Sequence, residues 1–429
     1  MKDRILNLFW LFAEQGGKIL SSIFITLLVV NHLGPEKFGL LSLGLASITF
    51  IGAFVGLGFD AILFKRFISE EHSEKELLET SQFLRLGTSL CIILLVTSIN
   101  IVIDNPVVDV INILVFGFLF DSFLSFKDYF FATLKNKYYT YSTFVSLIVQ
   151  AVVISVLVQG NASLNILAWA YVSTKFTQSL VLYICYVIER KVVIQPVFNK
   201  ILAKDLLVNS YPMMLASSIG ILYSLQDQFF INMFLNSHEL GIYAVGIKFV
   251  LVLIVIPTLI SNVFYPSLVH KFKKEDVKAY SEQLHSIYLL FFFLGTIGFI
   301  ITYSLSESVI NLLFTEEFSR SSEVMEIYSV LLILSFFQSI NNKILILHNL
   351  QSIIFKRAIF ALTANGILNY FLIPIYGIKG AAYSTVISEF LVILSYAIRT
   401  DTRFIFIYQL KSLFIFRIFH PNFLKGLKS

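Results

Sequence analysis

Residues 33–44 read LGPEKFGLLSLG, and residues 235–246, which follow 202 positions later, read LNSHELGIYAVG. When they are aligned, the two stretches share a leading leucine and two later glycines, with similar residues between them. Each stretch connects two long apolar segments at the same place in its half of the chain. Two copies of one unit that have the same orientation in a membrane predict two lobes, which are related by a rotation axis along the membrane normal.

The chain around these stretches is apolar enough to lie in a bilayer. Hydrophobic residues make up 57% of it and charged residues 14%, with a mean hydropathy of +0.81, whereas soluble domains carry roughly 25% charged residues. A spanning helix needs about 20 mostly apolar residues, and this length predicts twelve spans. They are residues 6–31, 39–62, 82–104, 108–134, 139–160, 165–189, 207–235, 240–268, 283–305, 324–348, 357–375 and 380–399. Because backbone groups in lipid must bond internally, the spans are predicted to be helices.

The placement of basic residues predicts the orientation of the spans. With the N-terminus inside, 24 of the 32 Lys and Arg residues fall in inner segments and three fall in outer segments. This asymmetry follows the positive-inside rule and predicts that both termini are cytoplasmic. The first apolar run reaches about Asn31 and contains Glu14 and Lys18, so we expect a membrane helix there and not a cleaved signal peptide.

The predicted architecture is all-α, a polytopic membrane protein with about twelve transmembrane helices in two six-helix lobes. The N-terminal lobe covers residues 1–189, a cytoplasmic linker covers 190–206, and the C-terminal lobe covers 207–400. The tail, residues 401–429, is predicted to be an amphipathic helix on the inner leaflet, where basic side chains meet anionic headgroups. A thirteenth span over Phe404–Phe419 is the alternative.

Several ionisable residues interrupt the apolar stretches and are the candidates for function. A charge at the bilayer centre costs at least about 2.5–3.5 kcal/mol, so these residues must face one another, a wet cavity or an interface. We single out Glu14, Lys18, Arg85, Asp121, Lys175, Asp227, Lys248, Lys343 and Glu389.

Four of these residues are predicted to line a polar path. Glu14 and Lys18 are four positions apart and share one helix face, with the pair Gly16–Gly17 between them as a possible bend. Asp227 is flanked by two glutamines, and Lys248 precedes a proline that could also bend its helix. Internal salt bridges are the alternative for all four. Lysines at depth favour an anion such as phosphate, and carboxylates at depth can bind and release a proton or Na⁺.

The other five residues are open to simpler explanations. Arg85 and Lys343 lie near inner span ends, where long side chains can reach the interface. Lys175 could form a structural salt bridge with Asp121. Glu389 has two possible roles, either as an ion or proton site or as a contact in helix packing.

The sequence offers no constellation for catalysis, metal binding or nucleotide binding. Its histidines are scattered, and it contains neither a phosphate-cradling glycine loop nor a nucleophile elbow. Cys91 and Cys185 are predicted to be small buried residues. We therefore expect no catalytic residue, no metal, no cofactor beyond a coupling ion and no nucleic acid partner, which favours a transporter over an enzyme.

Several stretches, in chain order, resemble the bacterial polysaccharide and O-antigen flippases of the multidrug/oligosaccharidyl-lipid/polysaccharide exporter superfamily. They are Leu33–Gly39, Gly56-Leu57-Gly58 with Arg66, Ser210-Tyr211-Pro212 with Asp227, Glu239–Tyr243, and Asn365–Thr385, which reads NGILNYFLIPIYGIKGAAYST. The resemblance extends over nearly the whole chain. It implies two six-helix bundles around a cavity lined largely by spans 1, 2, 7 and 8.

The resemblance also implies a function in a bacterial inner membrane. The family moves undecaprenyl-diphosphate-linked oligosaccharides, for O-antigen or capsular polysaccharide, from the inner to the outer leaflet. The implied partners are this substrate, membrane lipids, and a polysaccharide polymerase with its chain-length regulator. The predicted substrate-binding residues are Lys18, Lys248, Lys175 and Arg85, and the predicted ion-coupling residues, for H⁺ or Na⁺, are Glu14, Asp227, Asp121 and Glu389.

Two other functions remain open on the sequence. A cation-coupled multidrug exporter of the same fold would use acidic residues to bind organic cations. A membrane glycosyltransferase or polysaccharide polymerase would need acidic or histidine residues gathered at one membrane face, and the sequence shows no such cluster.

Overall fold

The computed structural model describes residues 2–69, 73–192 and 197–413, and every regular segment within these ranges is helical. The described residues up to Leu225 form one compact unit, and those from Gln226 onwards form a second. The predicted lobe boundaries, with a linker over 190–206, stay a prediction, and residues 193–196 of that linker lie outside the described ranges.

The first unit is built from eight helices and the first part of a ninth. They are α1 (Lys2–Val55), α2 (Phe59–Ser69), α3 (Glu74–Val102), α4 (Pro106–Leu114), α5 (Phe118–Asp121), α6 (Ser125–Ala132), α7 (Asn136–Gln159), α8 (Leu164–Arg190) and α9 (Lys200–Phe234). Short 3₁₀ turns join α4 to α5 and α5 to α6, so that these three helices form one continuous apolar segment. Helix α7 packs against both α1 and α8, and α2 packs against α6.

The second unit contains the end of α9 and eight further helices. They are α10 (Ser237–Leu253), α11 (Val255–Lys273), α12 (Val277–Leu313), α13 (Ser321–Ser329), α14 (Leu331–Leu347), α15 (Gln351–Tyr376), α16 (Ile378–Leu394) and α17 (Arg403–Ser412). Helix α13 packs against α10, α12 and α16, and α15 packs along α16.

Ten helical segments of the described chain are long and apolar enough to cross a membrane. The first of them, Phe12–Val55, contains two predicted spans, which meet at Gly34. Gly34 has φ 70° and ψ 175°, a backbone conformation that only glycine adopts readily. The sixth predicted span corresponds to α8. This helix has 27 residues and is long enough to cross a membrane, but it is not one of the ten segments. The prediction of an all-α polytopic membrane fold is confirmed.

Helix boundaries in both units follow local chemistry. The Asn236 side chain accepts a hydrogen bond from the Glu239 amide at 2.9 Å and caps α10. Helix α10 ends at Leu253, and α11 begins two residues later. The cause is Pro257, because a proline ring clashes with the carbonyl four residues before it. The helix is therefore interrupted at Ile254, just before Pro257, where the sequence predicts a bend.

Helix α1 is continuous through Gly16 and Gly17, where the sequence predicts a possible bend. Gly17 serves close packing instead. A Cβ atom at this position would lie 2.5 Å from the Phe144 ring of α7, whereas one at Gly16 would meet nothing within 4 Å.

Helix α2 is fixed against the N-terminal part of α9. The Arg66 guanidinium donates to Asp205 at 2.6 Å, and Phe59, Leu63 and Leu206 are fully buried in one apolar cluster. Gly58, with φ +67°, allows this approach, because a Cβ atom there would lie 2.6 Å from the Met214 amide nitrogen.

The described part of the tail packs against protein. Ile405, Gln409 and Ser412 of α17 are buried, α17 contacts α12, and the Tyr408 hydroxyl lies 2.5 Å from the Ser281 hydroxyl. Residues 414–429, with much of the alternative span Phe404–Phe419, lie outside the described ranges.

One small prediction about packing is wrong. Cys91 is exposed on α3 and Cys185 is only partly buried. The exposed positions around Cys91 on α3 include Leu90, Leu94 and Leu95, and such an apolar surface is stable against lipid.

Candidate functional site

Asp227, near the end of α9, is the centre of a buried polar cluster in the second unit. Its side chain accepts hydrogen bonds from the hydroxyls of Tyr243 (2.6 Å), Tyr328 (3.2 Å) and Thr385 (2.5 Å). The Asn369 amide donates to the other carboxylate oxygen at 2.7 Å. Asp227 is only 5% exposed, so α10, α13, α15 and α16 together replace its water shell.

The hydrogen-bond donors to Asp227 are all neutral. Among the ion pairs of the described residues, none includes Asp227. A buried ionised carboxylate is costly unless it is paired or bound to a cation. Without a bound proton or small cation, the negative charge of Asp227 is therefore not compensated by any ion pair among the described residues.

Neutral oxygen atoms are also gathered here. Asn365 is fully buried one turn before Asn369, and its amide lies 3.1 Å from the Thr385 hydroxyl. The side-chain oxygen of Asn369 is buried, and no described residue donates a hydrogen bond to it. Carboxylate, amide and hydroxyl oxygens are the ligands that hard cations prefer, so these groups fit a small cation as well as a proton.

Glu14 and Lys18 form an ion pair on α1. Their side chains are 2.5 Å apart, with Glu14 3% exposed and Lys18 39% exposed. The Lys18 ammonium also lies 3.5 Å from the Tyr139 hydroxyl of α7. The internal salt bridge, which was the alternative interpretation of these two residues, is therefore present, and Lys18 is its more exposed member.

Arg85 does not extend towards the membrane interface, so that interpretation is wrong. Its side chain is 2% exposed and lies 2.9 Å from Asp60 and 3.7 Å from Asp128. Lys127 contacts the same two carboxylates, at 2.7 Å from Asp60 and 3.8 Å from Asp128. The buried carboxylate of Asp128 and the Ser125 hydroxyl of α6 hold the guanidinium inside, because Ser125 also accepts a hydrogen bond from Arg85 at 3.2 Å.

The remaining paired residues have local partners. The Lys175 ammonium lies 2.9 Å from Asp121, which confirms the predicted salt bridge. Lys343 lies over the Tyr265 ring, 5.3 Å from its centre. Glu389 accepts a hydrogen bond from the Gln338 amide at 3.2 Å.

Lys248 differs from the other candidate cations. It lies on α10, is partly buried, and belongs to none of the ion pairs among the described residues. A partly buried ammonium without a carboxylate partner is available to an anionic ligand.

Sequence reasoning missed two groups of residues. The partners of Asp227 lie 16 to 158 positions away along the chain, and only the i, i+4 spacing of Asn365 and Asn369 within one span was a signal. Asp60 and Asp128 fell inside predicted spans 39–62 and 108–134 but were overlooked because they lie near the span ends.

Residues 29–323 match the family described as "Polysaccharide biosynthesis protein". The capsular polysaccharide biosynthesis protein CapF of Staphylococcus aureus is 25% identical over 194 residues, which are 45% of this chain and 49% of CapF. The chain therefore spans about half the length of this relative.

Three solved structures are similar in fold. The lipid II flippase MurJ, in an inward closed conformation, has a TM-score of 0.73 at 14% identity, covering 99% of this chain and 96% of MurJ. A MOP superfamily transporter from Pyrococcus furiosus has a TM-score of 0.62 at 14% identity, covering 99% and 96%. An outward-facing MATE family multidrug resistance transporter has a TM-score of 0.61 at 13% identity, covering 96% of both chains. At 13–14% identity, these likenesses show that the chain shares the fold of these three proteins.

Proposed function

The chain belongs to the polysaccharide biosynthesis protein family, and from this premise we propose that it is a flippase. Its substrate is an undecaprenyl-diphosphate-linked oligosaccharide repeat unit of an O-antigen, capsule or exopolysaccharide. It moves this unit from the inner to the outer leaflet of a bacterial cell membrane by alternating access. The lipid tail stays in the bilayer while the glycan head crosses, so the protein works as a transporter and makes or breaks no covalent bond.

The observation that carries the proposal is the Asp227 cluster within a MOP-type fold. A buried carboxylate with only neutral donors changes its charge state when a proton or Na⁺ binds or leaves. Such an ion exchange can drive the cycle of a secondary transporter. Asp227 is therefore the first candidate for the coupling residue.

The other proposed coupling carboxylates rank below Asp227. Glu14 and Asp121 each have a lysine within 3 Å, which compensates their charge without an added ion. Glu389 has the Gln338 amide as a donor. If Glu14 and Asp121 contribute to coupling, their lysine partners must first move away.

The substrate's diphosphate suits the two lysines that a ligand can reach. Lys248 has no carboxylate to displace among the described residues, and Lys18 is 39% exposed beside Glu14. Lys175 is 46% exposed but pairs with Asp121, and Arg85 is enclosed by protein. The order of importance proposed for substrate binding is therefore Lys248 and Lys18, then Lys175, and last Arg85.

Loss of the protein from its host tests the function. The proposal expects lipid-linked repeat units to accumulate in the inner leaflet while surface polysaccharide is lost. Lys18→Ala and Lys248→Ala should then reduce complementation more than Lys343→Ala, which is the matched control. The control is apt because Lys343 already has the Tyr265 ring as a partner.

Normal surface polysaccharide, together with altered sensitivity to cationic dyes or drugs, would contradict the proposal and favour a cation-coupled multidrug exporter. Full complementation by all three lysine variants would remove the substrate-site assignment.

The polymerase and chain-length regulator of the same polysaccharide are the proposed partners, and they would act on the unit after it has crossed.

A further inference from the structure

Two carboxylates in the first unit compete for the same two cations. Asp60 of α2 lies 2.9 Å from Arg85 and 2.7 Å from Lys127, so it takes the short contacts with both. Asp128 lies 3.7 Å from Arg85 and 3.8 Å from Lys127, beyond hydrogen-bond distance of either. One carboxylate is therefore fully paired, and the other is left at a distance from its counter-charges.

The burial of the two carboxylates runs opposite to their pairing. The Asp60 side chain is 62% exposed and that of Asp128 is 3% exposed. One Asp128 oxygen and the Arg85 Nε are buried without a hydrogen-bond partner among the described residues. An unsatisfied buried acceptor costs about 1–3 kcal/mol, and more when it is charged, so the better-paired carboxylate is the one that needs pairing least.

We propose that Asp128 is a second proton-binding site, and that its proton exchanges as Asp60 leaves and rejoins Arg85 and Lys127. With Asp60 in place, Asp128 holds the proton. When the Asp60 side chain moves away from the two cations towards solvent, Arg85 and Lys127 pair with Asp128 instead. The O–H bond of Asp128 then breaks, and its proton passes to water. One proton is released for each departure of Asp60.

The exchange is linked to helix α2. Asp60 lies in the first turn of α2, and Arg66 on the same helix pairs with Asp205 of α9. A proton bound at Asp128 therefore favours the position of α2 seen in this structure. The Asp128 site is distinct from Asp227, and its proton exchange does not depend on the substrate.

The other titratable groups around α6 leave this competition intact. From α7, Tyr139 interacts electrostatically with Lys127. From α8, Glu189 pairs with Lys135 and Arg190 pairs with Glu74.

Infrared difference spectroscopy on the full-length protein in lipid nanodiscs tests the proposal. The signal is the carbonyl-stretch band of protonated carboxyl groups, followed between neutral and alkaline buffer. The wild type should show a titrating band that Asp128→Asn removes. Asp60→Asn should also remove it at neutral pH, because Asp128 is then the only anion for two cations.

Asp227→Asn is the matched control and should leave this band unchanged. Asp60 is exposed, so Asp60→Asn keeps the test open even if Asp128→Asn does not fold. If Asp128→Asn removes no part of the wild-type band, or if Asp60→Asn leaves that part unaltered, the proposal is overturned. Neither result would bear on the proposed substrate, because no substrate is present.

Discussion

At the residue scale, Asp227 is held by donors that remain in place when its charge is removed. Asp227→Asn keeps the shape of the side chain and loses the ability to bind a proton or cation. We expect this variant to reach the membrane at normal levels and to lose complementation of surface polysaccharide. The measurement is polysaccharide on intact cells, normalised to the amount of protein.

Asp401→Asn is the control for this prediction, because Asp401 lies in an exposed pair with Arg399 at 2.7 Å. Exposed pairs contribute about 0–1 kcal/mol, so this variant should behave as the wild type. Full complementation by Asp227→Asn would remove Asp227 from the coupling site.

The same cluster predicts a response to its ion. A ligand that binds only the folded state stabilises it by about 2.7 kcal/mol at 100 times its dissociation constant. Either added Na⁺ in place of choline, or acidification, should therefore raise the unfolding temperature of the purified protein. Asp227→Asn should lose whichever response the wild type shows, and an unchanged response in the variant would count against the site.

The two proposed substrate lysines predict different effects on stability. Lys248 belongs to no ion pair among the described residues, so Lys248→Met should fold normally and reduce transport about tenfold or more, as loss of a charged hydrogen bond implies. Lys18→Met leaves Glu14 buried and unpaired, which costs about 3–5 kcal/mol. Lys18→Met combined with Glu14→Gln should restore thermal stability without restoring transport. Restored transport in the double variant would give Lys18 a purely structural role.

Single charges were predictable from sequence only where helix geometry or span depth constrains them. The Glu14–Lys18 contact follows from their spacing on one helix, and the Asp121–Lys175 pair follows from two opposite charges at depth in one lobe. The environment of Asp227 was not predictable, because α10, α13, α15 and α16 supply its donors. Arg85 was misjudged because nothing near it in sequence reveals Asp60 or Asp128.

At the element scale, two adjacent glycines of α1 predict opposite effects. Gly17→Ala places a methyl group 2.5 Å from the Phe144 ring of α7, and overpacking of this kind costs about 1–3 kcal/mol. Gly16→Ala meets nothing within 4 Å and should gain up to about 1 kcal/mol from helix propensity. Thermal unfolding of the two detergent-solubilised variants measures the difference. Equal unfolding temperatures would show that α1 and α7 do not approach closely at Gly17.

Helix positions were largely predictable because apolar length determines them, and the breaks were predictable only in part. Gly34 and Pro257 interrupt helices for reasons of backbone geometry that the sequence states directly. The Gly16–Gly17 pair carries the same signal but lies in continuous helix, since Phe144 needs the space that Gly17 leaves. Neighbours on other helices decide such cases, and one sequence does not reveal them.

At the scale of the whole molecule, the family match and the fold likeness both extend over most of the chain. The family match covers residues 29–323, and the fold likeness to MurJ covers 99% of the chain. The repeat that relates residues 33–44 to 235–246 predicts two similar lobes, and this stays a prediction. The two compact units of the described chain divide between Leu225 and Gln226, within α9.

The most direct measurement is transport of a lipid-linked glycan by the purified protein in proteoliposomes. A fluorescent polyprenyl-diphosphate oligosaccharide would be placed in both leaflets, and a membrane-impermeant reagent would modify the glycan outside. We expect wild-type protein to make the glycan of the inner leaflet accessible to the reagent. The variants Asp227→Asn and Lys248→Met should leave it protected. An inner pool that stays protected with wild-type protein, under both a sodium and a proton gradient, would contradict the account.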